Sequence, residues 1–186
     1  MQPWGITPYN GAGTHTMKRN QTFHETLIPL LVDGIGAESY LELGTYHNDT
    51  IGKVRCARRY GVDTHPVSCP GVKMFAMTTE EFIRHHAMKY ATYDAVFIDS
   101  DHSAESVAKD FLGIMPYVSP EGLVLLHDSN PQWVEDTKPG YCGDAWRFVK
   151  NLSTIGYEAV TLPYHPGLTI VRNRRRWGPD ETPAGK

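Results

Sequence analysis

The chain is poor in cysteine. Its 186 residues include only Cys56, Cys69 and Cys142. An odd number with no paired metal spacing excludes a disulfide framework and a zinc finger, so these thiols are expected to be reduced. Long apolar runs are also missing, and nothing approaches the roughly 18 residues of a membrane-spanning helix. The first residues, MQPWGITPYNGAG, lack the basic and apolar segments of a secretory signal, and a cytoplasmic setting without membrane contact is expected. Nor is there an excess of one charge. The formal net charge of −3 argues against a dedicated nucleic-acid partner, and the local cluster Arg172, Arg174, Arg175 and Arg176 reads as a solvated tail. Glycine is short at one telling place. In YLELGTYHND, residues 40–49, an apolar run stops at Gly44, but Asn48 stands where a phosphate-gripping turn would carry its last glycine.

What is present fits one globular domain, with 40% hydrophobic and 21% charged residues. Residues 1–22 are rich in Gly, Pro, Thr and Asn and are expected to form an arm or lid. Residues 23–176 form the domain, and 177–186 a frayed tail. Helical spacing is read over 23–32, with Phe23, Leu27, Ile28, Leu30 and Leu31 inward. It is read again over 50–60, with Gly61 as its stop, and over 103–114 with Val107, Ala108, Phe111 and Leu112 inward. A capping box, Thr78 with Glu81, opens a helix carrying Phe82, Ile83, Ala87 and Tyr90. A last helix is expected over 145–152. Strands are expected at 39–43, before Asp63, at 72–76, 93–99, 123–128, 157–162 and 168–173, with SPEG as the turn into the fifth. PYHPG joins the final two as an antiparallel pair. Strands alternating with helices predict an α/β fold: a Rossmann-like three-layer sandwich whose seven-stranded, mostly parallel sheet has an antiparallel last strand.

In such sheets ligands bind beyond the carboxyl ends of the strands. The chemically interesting residues collect there. Glu42-x-Gly44 is followed about 20 residues later by Asp63, the spacing between a close-approach turn and a ribose-binding acid. The competing reading of Asp63 is a loop cap beside Thr64 and Pro66. Asp99 ends the fourth strand, followed by Asp101 and His102. His127 and Asp128 end the fifth, followed by Ser129 and Asn130. If those strands are neighbours, Asp99 and Asp128 lie side by side and repel unless a cation compensates them; oxygen donors suit Mg²⁺, Mn²⁺ or Ca²⁺. The alternatives are that Asp128 caps a loop while Asp99 holds backbone amides, or that His102 and His127 join Asp99 in a two-histidine iron site. His102 has the pKa range of a general base.

YLELGTYHNDT, GVDTHP, FIDSDHSAESVAKD and GLVLLHDSN together resemble the class I S-adenosylmethionine-dependent methyltransferases. The likeness is greatest to the small O-methyltransferases of the catechol, caffeoyl-CoA, sugar and macrolide kinds, and runs over about 27–171. It implies S-adenosylmethionine as cofactor, with Glu42, Gly44, Thr45, Tyr46 and Thr50 around its methionine end. Asp63 would hold the ribose, Met77 and Thr78 would border the adenine, and Asp99 and Asp101 would complete that side. It also implies a metal held by Asp99 and Asp128. The third ligand of those enzymes directly follows the second aspartate; here Ser129 stands in that place and Asn130 one later. His102 falls where the catechol type carries a lysine base, so Asp99 and His102 are the expected catalytic residues. The implied partner is a small hydroxylated acceptor, a sugar or natural product, walled by Trp133, Tyr141 and Trp146, and the enzyme is expected as a homodimer. Two other functions stay open: a protein that binds the cofactor without methyl transfer, and a nicotinamide-dependent oxidoreductase.

Overall fold

The computed structural model describes residues 23–175, with side chains through Asn173. The expected arm at 1–22, the tail at 177–186, and the side chains of Arg174, Arg175 and Arg176 lie outside the described residues. Five helices, α1 (Phe23–Gly34), α2 (Thr79–His85), α3 (Ala87–Tyr90), α4 (Ala104–Ile114) and α5 (Ala145–Asn151), alternate with seven strands. The strands are β1 (Ser39–Leu43), β2 (Arg58–Asp63), β3 (Lys73–Ala76), β4 (Tyr93–Ile98), β5 (Val118–His127), β6 (Tyr157–Leu162) and β7 (Leu168–Arg175). They form one sheet in the order β3-β2-β1-β4-β5-β7-β6. Pairing is parallel from β3 through β5, and β7 runs antiparallel to both β5 and β6. The expected α/β sheet with its reversed last strand is what the chain forms.

The central strands are mostly apolar, with Glu42 the buried exception in β1, because both faces are covered. Their side chains alternate with period two. Leu41, Leu43, Val96, Ile98, Val124 and Leu126 face one core with Phe82, Phe111 and Phe148 from α2, α4 and α5. Tyr40, Ala95, Phe97, Leu123 and Leu125 face the other, under Ile28 and Val32 of α1 and under Ile51 and Val54. α4 starts at Ser103, whose hydroxyl accepts the Ser106 amide, and it buries Val107, Asp110, Phe111 and Ile114. The capping box expected at Thr78 and Glu81 is present, and α2 follows it.

Several expectations are corrected. No helix forms over 50–60. The chain makes tight turns instead, with the Gly52 amide on the Asn48 carbonyl (3.0 Å) and the Lys53 amide on the Thr50 carbonyl (2.9 Å). Ile51 and Val54 are buried as expected, but from this turn, and Gly61 lies inside β2 rather than ending a helix. Three apolar residues in helical register were too few to separate one turn from a helix. SPEG is part of β5, where the β4 pairing shifts register, not a turn before it. The helix after Thr78 breaks at His86 into α2 and α3. Phe23, Leu30 and Leu112 are exposed rather than inward.

Candidate active site

β1 is followed by a glycine because the backbone just past β4 leaves no room for a side chain. Gly44 has φ +87°, and a Cβ there would lie 2.3 Å from the Asp99 carbonyl oxygen. Beyond it the turn is held from the tip of β2. Asp63 Oδ2 accepts the Thr45 and Tyr46 amides (3.1 and 3.0 Å), and Oδ1 accepts the His65 amide (2.9 Å). Partial burial opposes ionisation of Asp63, but the His65, Tyr46 and Thr45 amides together hold its carboxyl below the usual range. Asp63 therefore joins the first two strand tips, as the loop-cap reading required, and stays half-exposed beside Gly44. Tyr46 (φ 42°) and Asn48 (φ 65°) both take the left-handed conformation. Asn48 thus supplies the geometry a glycine would have given, and its side-chain amide donates to the Val67 carbonyl (3.0 Å).

The other expected cofactor residues are placed unequally around this turn. Tyr46 is exposed, Thr50 is buried, and the buried Thr45 hydroxyl has no partner. Glu42 is only 2% exposed, on the opposite side of β1 from Leu41 and Leu43. It accepts the Tyr40 hydroxyl (2.6 Å), and burial holds its carboxyl well above the ordinary range. Met77 is half-buried and Thr78 exposed at the end of β3, with the Met77 amide on the Asp63 carbonyl (3.1 Å). Asp101 is exposed and accepts the Ser103 amide (2.8 Å) at the start of α4.

β4 and β5 are neighbours, so Asp99 and Asp128 meet as expected. One donor atom from each of Asp99, His102 and Asp128 falls within a mutual 4.8 Å, a spacing that could hold a metal ion. His102 Nε2 lies 3.7 Å from Asp99 Oδ1, and its Nδ1 3.0 Å from Asp128 Oδ2. Asp128 has φ 53° and is buried, and its Oδ2 makes no well-aligned hydrogen bond although His102 Nδ1 lies 3.0 Å away. A buried carboxylate is costly unless positive charge compensates it. Its presence, with a second carboxylate beside it, fits a hard divalent cation. Ser129 is buried with an unpartnered hydroxyl, and half-buried Asn130 follows with its amide on the Pro166 carbonyl (2.8 Å).

His127, which the sequence marks only by its place at the end of β5, meets both carboxylates. Its Nδ1 lies 2.9 Å from Asp99 Oδ1 and 3.5 Å from Asp128 Oδ1. Burial would lower its pKa, but the two carboxylates outweigh that and push it up to about 10. The ring of His127 thus sits where it can offset part of the repulsion inferred between Asp99 and Asp128. His24, which attracted no functional reading, packs edge-on against His127 with ring centroids 4.1 Å apart. Burial first, then His127, lower its pKa to about 4. No sequence pattern links residues 24 and 127; only the packing of α1 on the sheet does.

The loop after β5 closes around His102. The His102 carbonyl accepts the Asp144 and Ala145 amides (3.0 and 2.9 Å), and Asp144 Oδ1 accepts the Ala104 amide (2.7 Å). His102 Nδ1 also contacts the Tyr141 carbonyl. The Cys142 thiol lies against Asp128, and burial followed by that charge pushes its pKa up. All three cysteines are free. Of the expected acceptor walls, Trp133 and Tyr141 are more than half exposed. Trp146 is half-buried, with Lys150 Nζ over its ring at 4.2 Å.

Residues 41–129, from β1 to just past β5, match the family model described as a methyltransferase domain. The fold is similar to cofactor-bound Rv0187 from MTB, with TM-score 0.70 and 14% identity over 86% of this chain and 84% of that one. It is similar to the O-methyltransferase from Bacillus cereus in complex with SAH (TM-score 0.62, 15% identity, 81% of each chain). It also resembles the MycE methyltransferase of the mycinamycin pathway in complex with Mg, SAH and mycinamycin VI. There the TM-score is 0.61 and the identity 17%, over 84% of this chain and 51% of that one. No curated protein matches the sequence. The matched stretch, 89 of the 186 residues, carries the five strand ends described above, so the segment that bears the candidate site is similar to a methyltransferase domain and the chain shares the fold of these solved structures.

Proposed function

We propose that the protein transfers a methyl group from S-adenosylmethionine to a hydroxyl of a small acceptor, assisted by a divalent metal ion. The observation that carries this reading is the meeting of two assemblies at one sheet edge: the Gly44–Asp63 turn, and the Asp99, His102 and Asp128 cluster. S-adenosylmethionine supplies a methyl group already activated on a sulfonium, so the protein mainly has to position it. Asp63 is assigned the ribose hydroxyls, and Thr45, Tyr46 and Thr50 the methionine end. Met77, Thr78 and Asp101 border the adenine side, while buried Glu42 supports the turn from beneath. Asp99 and Asp128 would hold Mg²⁺ or a similar ion, with Asn130 assigned as third ligand, and such an ion would lower the pKa of an acceptor hydroxyl. His102, in reach of both carboxylates, takes the acceptor proton. A small hydroxylated molecule of sugar or natural-product type suits this site. The MycE complex with Mg, SAH and mycinamycin VI supports the reading by analogy of fold.

Calorimetric titration with S-adenosylhomocysteine tests the cofactor assignment. Asp63→Ala should weaken binding by about 10- to 150-fold or more, the worth of one charge-assisted hydrogen bond. Unchanged affinity in a folded variant overturns the assignment. Titration with Mn²⁺ tests the metal: Asp128→Ala should lose binding, and chelator-resistant turnover would remove the ion from the reaction.

A further inference from the structure

The stretch FIDSDHSAESVAKD ends in an acid that no part of the proposed reaction uses, Asp110. It lies in α4 on the buried stripe with Val107, Phe111 and Ile114, and is 3% exposed. A carboxylate on an apolar stripe is unfavourable for folding. Burial raises its pKa, the Thr79 and Ser100 side chains oppose that, and the charges of Asp101 and Glu80 add to it. The two basic side chains that line the same cleft are engaged elsewhere. Arg84 pairs with Glu80, and Lys109 with Glu105 (2.7 Å). Helix packing alone gives no reason for an acid here.

What Asp110 holds is the exit of β4. Its Oδ2 accepts the Ser100 hydroxyl (2.7 Å), and the side chain of Thr79, the first residue of α2, meets the same carboxylate. Ser100 is confined from the Gly44 side as well, where a Cβ on the glycine would lie 2.6 Å from the Ser100 Cα. Ser100 stands between Asp99 and Asp101, so its place sets theirs. Thr79 directly follows Thr78, where the chain leaving β3 turns into α2. Asp110 therefore ties the exit of β3 to the exit of β4. The sheet order puts the ends of β2 and β1 between those exits, with Asp63 and Gly44.

We infer that Asp110 is a positioning residue for the nucleoside end of the cofactor site. Through the Ser100 and Thr79 hydroxyls it fixes the two exits against each other, and the adenosine lies between them. This rests on the methyltransferase reading. Being buried, Asp110 acts through those hydroxyls rather than on the ligand. The exits are ordered before the cofactor arrives, so binding does not have to order them. Loss of the carboxylate therefore weakens adenosine and S-adenosylhomocysteine by the same factor, because the homocysteine end meets the Gly44 turn and Thr50 instead.

Calorimetry on the full chain follows S-adenosylhomocysteine directly and adenosine by its displacement of S-adenosylhomocysteine. Asp110→Ala should weaken both by the same factor, at least about tenfold, the worth of a hydrogen bond to a charged group. Ser100→Ala should act in the same direction, and the double variant should be no weaker than Asp110→Ala alone, since both remove the same hydrogen bond. Asp110→Asn keeps an acceptor oxygen for the Ser100 hydroxyl and should retain most of the affinity. An acid that served stability alone would lower the melting temperature and leave both affinities unmoved. Unchanged affinities in folded Asp110→Ala, or in Ser100→Ala where that variant does not fold, overturn the assignment. A loss for S-adenosylhomocysteine that adenosine does not share overturns it too, as does adenosine that fails to displace S-adenosylhomocysteine from the wild-type protein. Failure of the wild-type protein to bind S-adenosylhomocysteine instead overturns the reading beneath it.

Discussion

At the tip of β2 one carboxylate, Asp63, receives three backbone amides and still faces the turn where a ribose would lie. Those amides keep it ionised against partial burial. A carboxyl whose folded pKa is depressed contributes stability above the unfolded value of about 3.9, and that contribution is lost as pH falls through the folded pKa. Asp63→Asn should therefore melt below wild type by a constant margin between about pH 5 and 7. The margin should close below about pH 4; melting curves across this range check it. Gly44 gives a second prediction at this scale. With φ +87° and the Asp99 carbonyl 2.3 Å from any Cβ, Gly44→Ala should destabilise by more than about 2 kcal/mol. It should also weaken S-adenosylhomocysteine binding, read by denaturant titration and calorimetry.

At the scale of elements, β1 and β4 are fastened at both ends. At the far end, Asp94 Oδ2 accepts the Glu38 and Ser39 amides (3.0 Å each) and the Ser39 hydroxyl (2.9 Å). Asp94→Ala should lower the melting temperature by roughly 2–8 °C, the scale of one or two lost hydrogen bonds in a domain of this size. Cofactor affinity should fall little, since the clamp lies away from the turn. The strands were legible in the sequence because a two-sided parallel sheet demands near-continuous apolar runs. Thr78 and Glu81 were legible because a capping box is local. The stretch 50–60 was not: Ile51 and Val54 repeat with helical spacing, but only tertiary contact decides whether three such residues make a helix or a buried turn. The same limit hid SPEG, whose Pro and Gly signal a turn although the segment runs within a bulged strand.

At the scale of the whole molecule, the sheet order brings acids as far apart in sequence as Asp63 and Asp128 to one end of the sheet. Asp63, Asp99 and Asp128 were visible as strand-end acids, and the topology places them as that reading required. His24 and His127 were not visible as a pair, because their contact depends on α1 lying across the back of β5. Trp133 was visible as a candidate acceptor wall, but its edge-on contact with His165 was not, because that requires the β6–β7 turn to fold back to the loop after β5. A ligand that binds the folded domain alone must stabilise it. S-adenosylhomocysteine at 100 times its Kd should add about 2.7 kcal/mol. That should raise the melting temperature by roughly 5–11 °C, and Asp63→Ala should remove most of the rise.

The most direct test is calorimetric titration of the wild-type protein with S-adenosylhomocysteine and, separately, with NADH. One saturable site for S-adenosylhomocysteine, with no heat of binding from NADH, is the predicted result. No binding of S-adenosylhomocysteine, or NADH binding at the same turn in competition with it, would contradict the account.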